Sequence, residues 1–200
     1  MIKRELILVG GSFNPITNAH INMGLEAKKM FPCADLIFVP NNLNEASKWK
    51  DINKNDIFYK NRDKVFVNTM VGNGFKYSFF ERDCENPSTY ENIEYFKSLG
   101  YTDIYVCIGD DKLDQMYLWE DIGNVLNDCH VRFILFKRDG IELKGLLKWY
   151  SSKFIEAGSL LKYWCISSTI VRNIILDGEI DTIKEYIPKE VYEFYRGDNK

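Results

Sequence analysis

A chain of 200 residues with 46% hydrophobic and 28% charged residues is long enough to bury one substantial core and too apolar to remain disordered. Its 26 Lys and Arg against 29 Asp and Glu leave a formal charge of -3, which excludes the overall basic field that holds a nucleic-acid backbone. No run approaches a membrane span, the segment from Met1 to Glu5 lacks a signal-peptide pattern, and the five cysteines form no CxxC pair. The expectation is a cytoplasmic protein with reduced, mostly buried thiols, bound neither to nucleic acid nor to a membrane.

Along the chain, the apolar run 6–9 ends at Gly10-Gly11 and reads as a strand buried on both faces. A helix is predicted over 19–30, closed by Pro32, and a strand over 35–39 ending at Pro40. Residues 41–56 carry turn formers without periodicity and read as a long loop, a class of segment that often holds function. A helix follows over 57–70, a strand over 75–80, and a helix over 88–99 with Ile93, Phe96 and Leu99 on one face. The pattern then gives a strand over 103–108, a helical region over 113–126 and a strand over 131–136. After an ambiguous segment through 154, an extended run over 160–166 precedes helices at 168–176, 180–186 and 188–195. Strands alternating with helices predict an α/β fold, a Rossmann-like doubly wound parallel sheet in a single domain. Ligands in such folds lie beyond the carboxyl ends of the strands, which directs attention to the residues after Val9, Val39, Ile108 and Cys165.

Two strand-to-helix turns stand out. The first, GSFNPITNAH at 11–20, combines a glycine that permits close backbone approach with the free N–H groups of a helix start, a ready anion site. Its spacing is neither GxGxxG nor GxxxxGK[ST]. The second, ISSTIVR at 166–172, offers hydroxyls, first-turn amides and Arg172 on the helical face of Ser168, or, more simply, an N-cap and a solvated arginine.

Together, in this order and at opposite ends of the chain, the two segments resemble the paired hallmarks of the HxGH or TxxH nucleotidyltransferase superfamily. Within it the chain resembles the nicotinate or nicotinamide mononucleotide adenylyltransferases. Ile108-Gly109-Asp110-Asp111 with Trp119 is similar to that family's GxD segment and following tryptophan, and Pro87-Ser88-Thr89-Tyr90 to its Ser-Tyr-Thr helix start. Val39-Pro40-Asn41-Asn42 with Arg62 is similar to its second-strand loop and next helix. Thr17 stands where many relatives carry the first histidine, Ala19 replaces glycine, Thr89-Tyr90 inverts the Tyr-Thr order, and Glu45-Ala46-Ser47-Lys48 occupies the place of a Pro-Pro-His-Lys loop.

The resemblance implies transfer of AMP from ATP to nicotinate mononucleotide, or to nicotinamide mononucleotide, with release of pyrophosphate in NAD biosynthesis. It implies a nucleotide-binding core over about 1–176 with C-terminal helices over about 177–196. His20 would stabilise charge on the transferring phosphoryl group, with Arg172, Ser168 and Thr169 on the β and γ phosphates. Gly11, Ser12 and Phe13 would supply backbone amides to the nucleotide, Thr17 a hydroxyl to phosphate, and Asp111 an acceptor for the ribose hydroxyls; Phe13 is alternatively plain core. Trp119 would stack on the pyridine ring beside Tyr90, and Lys48, Lys50 and Arg62 are candidates for the acceptor phosphate. Asp110 and Asp111 lack a third carboxylate at ligand spacing, so no resident metal is expected and Mg2+ arrives with ATP. His130 reads as structural, and the sequence leaves a homo-oligomer open. A phosphopantetheine adenylyltransferase shares the first motif, a cytidylyltransferase fits the ISST ending less well, and a catalytically silent ATP sensor would keep the same site.

Overall fold

The computed structural model describes residues 3–46, 56–85, 87–137, 140–158, 163 and 165–197, with the backbone alone at 45 and 46. In chain order it runs β1 (Glu5–Gly11), α1 (Asn18–Met30), β2 (Asp35–Pro40), α2 (Leu43–Ala46), α3 (Ile57–Gly72), β3 (Lys76–Tyr77), α4 (Phe80–Asp83), α5 (Thr89–Ser98) and β4 (Asp103–Gly109). A 3-10 helix (Asp110–Leu118) then leads to α6 (Ile122–Asn127), β5 (Val131–Phe136), α7 (Leu146–Trp149), a 3-10 turn (Ser151–Lys153) and β6 (Phe154–Glu156). The chain closes with α8 (Ser168–Leu176), a 3-10 helix (Ile180–Ile183) and α9 (Lys189–Tyr195).

The strands form a six-stranded sheet in the order β3-β2-β1-β4-β5-β6, every neighbouring pair parallel. Alternation of side chains along each strand sends Ile7, Val9, Tyr105, Cys107, Ile134 and Phe136 to one face. Leu6, Leu8, Ile104, Val106, Phe133 and Leu135 go to the other. Both sets are buried, which is why these strands read as continuous apolar runs. Ile180, Ile183, Ile187, Val191 and Tyr192 share the first face's core with β1, so the C-terminal helices pack into the same body as the sheet. Asn18 N–H donates to the Tyr186 carbonyl at 3.0 Å and Asn18 Nδ2 to that of Glu185 at 2.9 Å, pinning this end to the start of α1.

The doubly wound parallel sheet is as the sequence predicts, and several element boundaries are not. The long loop predicted over 41–56 contains α2, too short to show a period. Only Lys76–Tyr77 of the run 75–80 pairs with β2, since Phe80 starts α4. The helix predicted over 113–126 is broken: Trp119 is extended and Asp121 lies at a φ of 54°, separating the 3-10 helix from α6. Of the run 160–166 predicted as extended, 160–162 and 164 lie outside the described residues. Among the described residues the last strand is Phe154–Glu156, where Phe154 pairs with Phe133 of β5 and stacks on its ring at 5.3 Å, while Tyr163 and Cys165 lie in turns. Of the five cysteines only Cys107, on a strand buried on both faces, is fully buried, and burial pushes its thiol up. Cys33, Cys129 and Cys165 are exposed because turns rather than strands carry them. Among the described residues no helix is long and apolar enough to cross a membrane.

One core residue bridges to the site. Phe13 is 1% exposed, stacks on Phe66 at 5.3 Å and 7°, and meets the His20 ring edge-on at 5.1 Å. Phe13→Ala is expected to cost about 3–5 kcal/mol of stability by opening a cavity between β1 and α3. Urea unfolding checks it, and a loss below about 1 kcal/mol would contradict this packing role.

Candidate active site

Strand order reverses between β1 and β4, and the crevice beyond their carboxyl ends is where a doubly wound sheet leaves room for a ligand. Residues 11–17 leave β1 into it, and Asp110 and Asp111 leave β4. A Cβ on Gly11 would lie 2.8 Å from the Phe13 ring, so the absence of a side chain there lets the ring fold back into the core. Phe13 itself holds a left-handed φ of 45°, a conformation that costs a non-glycine residue about 1 kcal/mol. With its ring buried, only the backbone of Phe13 can serve a ligand.

Thr17 is the N-cap of α1, and His20 is three residues on. The Thr17 N–H donates to His20 Nδ1 at 3.1 Å, and Thr17 Oγ1 lies 2.8 Å from the same nitrogen. A backbone N–H can only donate, so Nδ1 is the acceptor and the ring proton belongs to Nε2. The loop thereby fixes His20 as an N–H donor. Thr17 has no exposed surface; its hydroxyl orients the histidine, which corrects the expectation that it reaches a phosphate.

The last turn closes on the first. Ser168 Oγ donates to the Pro15 carbonyl at 2.9 Å, and Arg172 Nη1 to the Asn14 carbonyl at 2.7 Å. Arg172 Nη2 donates to Thr169 Oγ1 at 3.2 Å, while Ser167 caps α8 by accepting from Ile170 N–H at 3.3 Å. Segments more than 150 residues apart, as the 153-residue separation of Ser168 and Pro15 measures, thus form one cleft. The Ser168 hydroxyl is committed to this clasp, leaving its backbone amide, the exposed Thr169 and the half-buried Arg172 at the opening.

The two aspartates after β4 differ. Asp110 has no exposed surface and accepts from Ile141 N–H at 3.1 Å, tying down the loop after β5. Asp111 is half-buried and pairs with Lys112 at 2.7 Å. A Cβ on Gly109 would come within 2.3 Å of Asp111 Oδ1, so Gly109 makes room for that carboxylate. Among the described residues no three His, Cys, Asp or Glu side chains gather as a metal site.

On the neighbouring flank, Tyr90 and Trp119 are half-buried at the rim of the second core, and Ser88 caps α5 by accepting from Glu91 N–H at 3.1 Å. Arg62 is 3% exposed. Its Nη2 donates to the Asn41 carbonyl at 3.0 Å, and Asn41 N–H donates to the Gly11 carbonyl at 2.9 Å. Asp63 lies 2.9 Å from Arg62 Nε without hydrogen-bond alignment, and burial pushes the guanidinium down. Lys48 and Lys50 lie outside the described residues. His130 is exposed at the opposite, amino end of β5, 3.8 Å from Asp103, and takes no part in the cleft.

Sequence reasoning missed Tyr59 and Arg82, which with Asn42, Asn44 and Arg62 line a cavity of about 200 Å³ beyond β2. It also missed Glu81, whose carboxylate accepts from Asn92 Nδ2. None lies in a motif; tertiary packing alone assembles them.

Comparison with known proteins adds four findings. The family model described as Cytidylyltransferase-like matches residues 8–174. The chain is 30% identical over 200 residues, covering 96% of each, to a Clostridium botulinum (strain Loch Maree) protein named "Probable nicotinate-nucleotide adenylyltransferase". It is 27% identical over 202 residues, again 96% of each, to a Clostridium acetobutylicum protein of the same name. Among solved structures, Plasmodium falciparum nicotinic acid mononucleotide adenylyltransferase complexed with NaAD superposes with a TM-score of 0.69 at 21% identity, over 96% of this chain and 94% of that one.

Proposed function

Since this chain belongs to the cytidylyltransferase-like family and, within it, to the nicotinate-nucleotide adenylyltransferases, we propose that it transfers AMP from ATP to nicotinate mononucleotide, forming deamido-NAD and pyrophosphate. The observation that supports this reading is the clasp of Arg172 and Ser168 on the 14–15 carbonyls, which joins the start of α8 to the loop that leads into α1 and its His20.

In the reaction a phosphate oxygen of the mononucleotide bonds to the α-phosphorus of ATP as the bond to the bridging oxygen of pyrophosphate breaks. The nucleophile is already anionic, so no strong base is needed and the protein's work is positioning and charge stabilisation. His20 Nε2–H donates to the transferring phosphoryl oxygens. Arg172, Thr169 and the Ser168 amide hold the β and γ phosphates, and the backbone of Gly11, Ser12 and Phe13 lets the nucleotide approach. Asp111 accepts from the ribose hydroxyls. Magnesium enters as part of the substrate MgATP, where it neutralises phosphate charge. Trp119 and Tyr90 form the aromatic flank for the pyridine ring, and Arg62 acts through Asn41 on the shape of the loop after β2 rather than by touching a phosphate. The cytoplasm, where ATP is plentiful and thiols stay reduced, is the compartment this reading assigns.

Incubation with ATP, magnesium and nicotinate mononucleotide should release pyrophosphate and deamido-NAD in equal amounts. Binding of ATP without turnover would overturn the proposal and restore the silent sensor. The ribose contact has its own test: Gly109→Ala, whose Cβ would displace Asp111, is expected to raise KM for ATP about 10-fold with little change in thermal midpoint. An unchanged KM would contradict the role given to Asp111.

A further inference from the structure

We propose that Asp110 is a positioning residue for ATP, its buried carboxylate tying the loop after β5 to the turn that presents Asp111. The inference rests on the adenylyltransferase reading and gives a part in it to a buried carboxylate that the reaction itself does not use. Gly109 of β4 lies opposite Phe136 of β5, so the two strands end side by side at the cleft. From there one exit continues as Asp110 and Asp111 into the 3-10 helix, while the other reaches Ile141 by way of Gly140. The Ile141 N–H donates to Asp110 Oδ2 at 3.1 Å and joins the two exits across 31 residues of sequence.

Local sequence and packing both serve this bond. Gly140, the residue before the donor, holds a left-handed φ of 71°, which glycine adopts at little cost. A Cβ there would meet nothing within 4 Å, so backbone conformation rather than close approach accounts for the glycine. Ile141 and Leu143 pack against the same core as Leu113 and Met116 of the 3-10 helix, so loop and helix share a floor as well as a hydrogen bond. Asp110 has no exposed surface, and a carboxylate taken out of water is stabilised by N–H groups aimed at it. Asp111 shares a peptide unit with Asp110 and is only half-buried, its carboxylate in the room that Gly109 leaves. Whatever fixes Asp110 therefore fixes the starting point of the Asp111 side chain, the group assigned to the ribose hydroxyls.

Tie and nucleotide are then linked in both directions. With the tied loop binding ATP about 10-fold better than the open one, ATP must by reciprocity make opening about 10-fold rarer. Opening is what exposes the Ile141 amide to exchange with solvent. The mononucleotide is met beyond the far end of the 3-10 helix, at Trp119, whose N–H is held separately by the Met116 carbonyl at 3.1 Å. The effect of the tie therefore falls on ATP.

Asp110→Ala removes the acceptor and is expected to raise KM for ATP about 10-fold, with kcat and KM for nicotinate mononucleotide within about 2-fold of wild type. Asp110→Asn keeps an amide oxygen for the Ile141 N–H and should bring KM for ATP back to within about 3-fold. A folded Asp110→Ala enzyme with a wild-type KM for ATP, or with both KM values raised alike, would overturn the proposal while leaving the enzyme assignment intact; no dinucleotide from the wild-type protein would overturn both. Hydrogen exchange on the wild-type protein tests the same link even where Asp110→Ala does not fold. Saturating MgATP should slow exchange of the Ile141 amide about 10-fold, and nicotinate mononucleotide alone less than about 2-fold. An Ile141 amide that exchanges equally fast with and without MgATP would contradict the tie's role.

Discussion

His20→Ala should lower kcat by about two to three orders of magnitude while the thermal midpoint moves by only a few degrees. The ring is half-buried, and its packing is an edge contact to Phe13. What the substitution removes is an N–H donor that the protein has taken care to fix. Because the Thr17 N–H already points at Nδ1, protonating that nitrogen would set two N–H groups against each other, so the neutral ring with its proton on Nε2 is the form the loop selects. A preorganised donor aimed at developing charge costs no reorganisation during reaction, which is why losing one is so expensive. Thr17→Val provides the companion test. It deletes Oγ1 but keeps the backbone N–H, and should cost about 10-fold or less in kcat. A folded His20→Ala enzyme with kcat within about 3-fold of wild type would contradict the assigned role.

Arg172→Lys is expected to reduce kcat/KM for ATP by about 10- to 100-fold without unfolding the protein. The guanidinium performs two tasks through different nitrogens, donating to the Asn14 carbonyl and to Thr169 Oγ1. Its planar fork can hold those partners and still present N–H groups to a phosphate. A lysine ammonium keeps the charge but cannot span the set, so either the clasp or the phosphate contact is lost. Arg172→Ala should be worse by a further order of magnitude, since the Asn14 carbonyl is then left without its donor. Titration calorimetry with ATP and steady-state kinetics together check this. Equal affinity and turnover for the lysine variant would show that charge alone suffices there.

The sheet was legible because its strands are short apolar runs separated by helical spacing, and Val9, Ile108 and Ile134 advertise burial on both faces. The first and last turns were legible because a glycine-led loop into a helix and a Ser-Ser-Thr cap with an arginine on the same face have a chemistry that spacing reveals. Roles were harder. Thr17 reads as a phosphate hydroxyl in one dimension and proves to be the group that orients His20, because burial is a property of packing. Arg62 looks like any helix-face cation until α3 packs it under Asn41. β6 is only Phe154–Glu156, too brief for periodicity, and it was identified by pairing with β5 rather than by its own pattern. Glu81 lies in a charged stretch, Glu81-Arg82-Asp83, that resembles a solvated surface. Its hydrogen bond from Asn92 on α5 is one that no local pattern encodes.

The most direct measurement is a competition in one vessel: ATP and magnesium with equal concentrations of nicotinate mononucleotide, nicotinamide mononucleotide and phosphopantetheine, the products resolved by mass. Deamido-NAD as the dominant product, formed with matching pyrophosphate, is the expected result. Dephospho-coenzyme A as the dominant product would preserve the His20 and Arg172 chemistry but contradict the acceptor assigned to the flank of Tyr90 and Trp119.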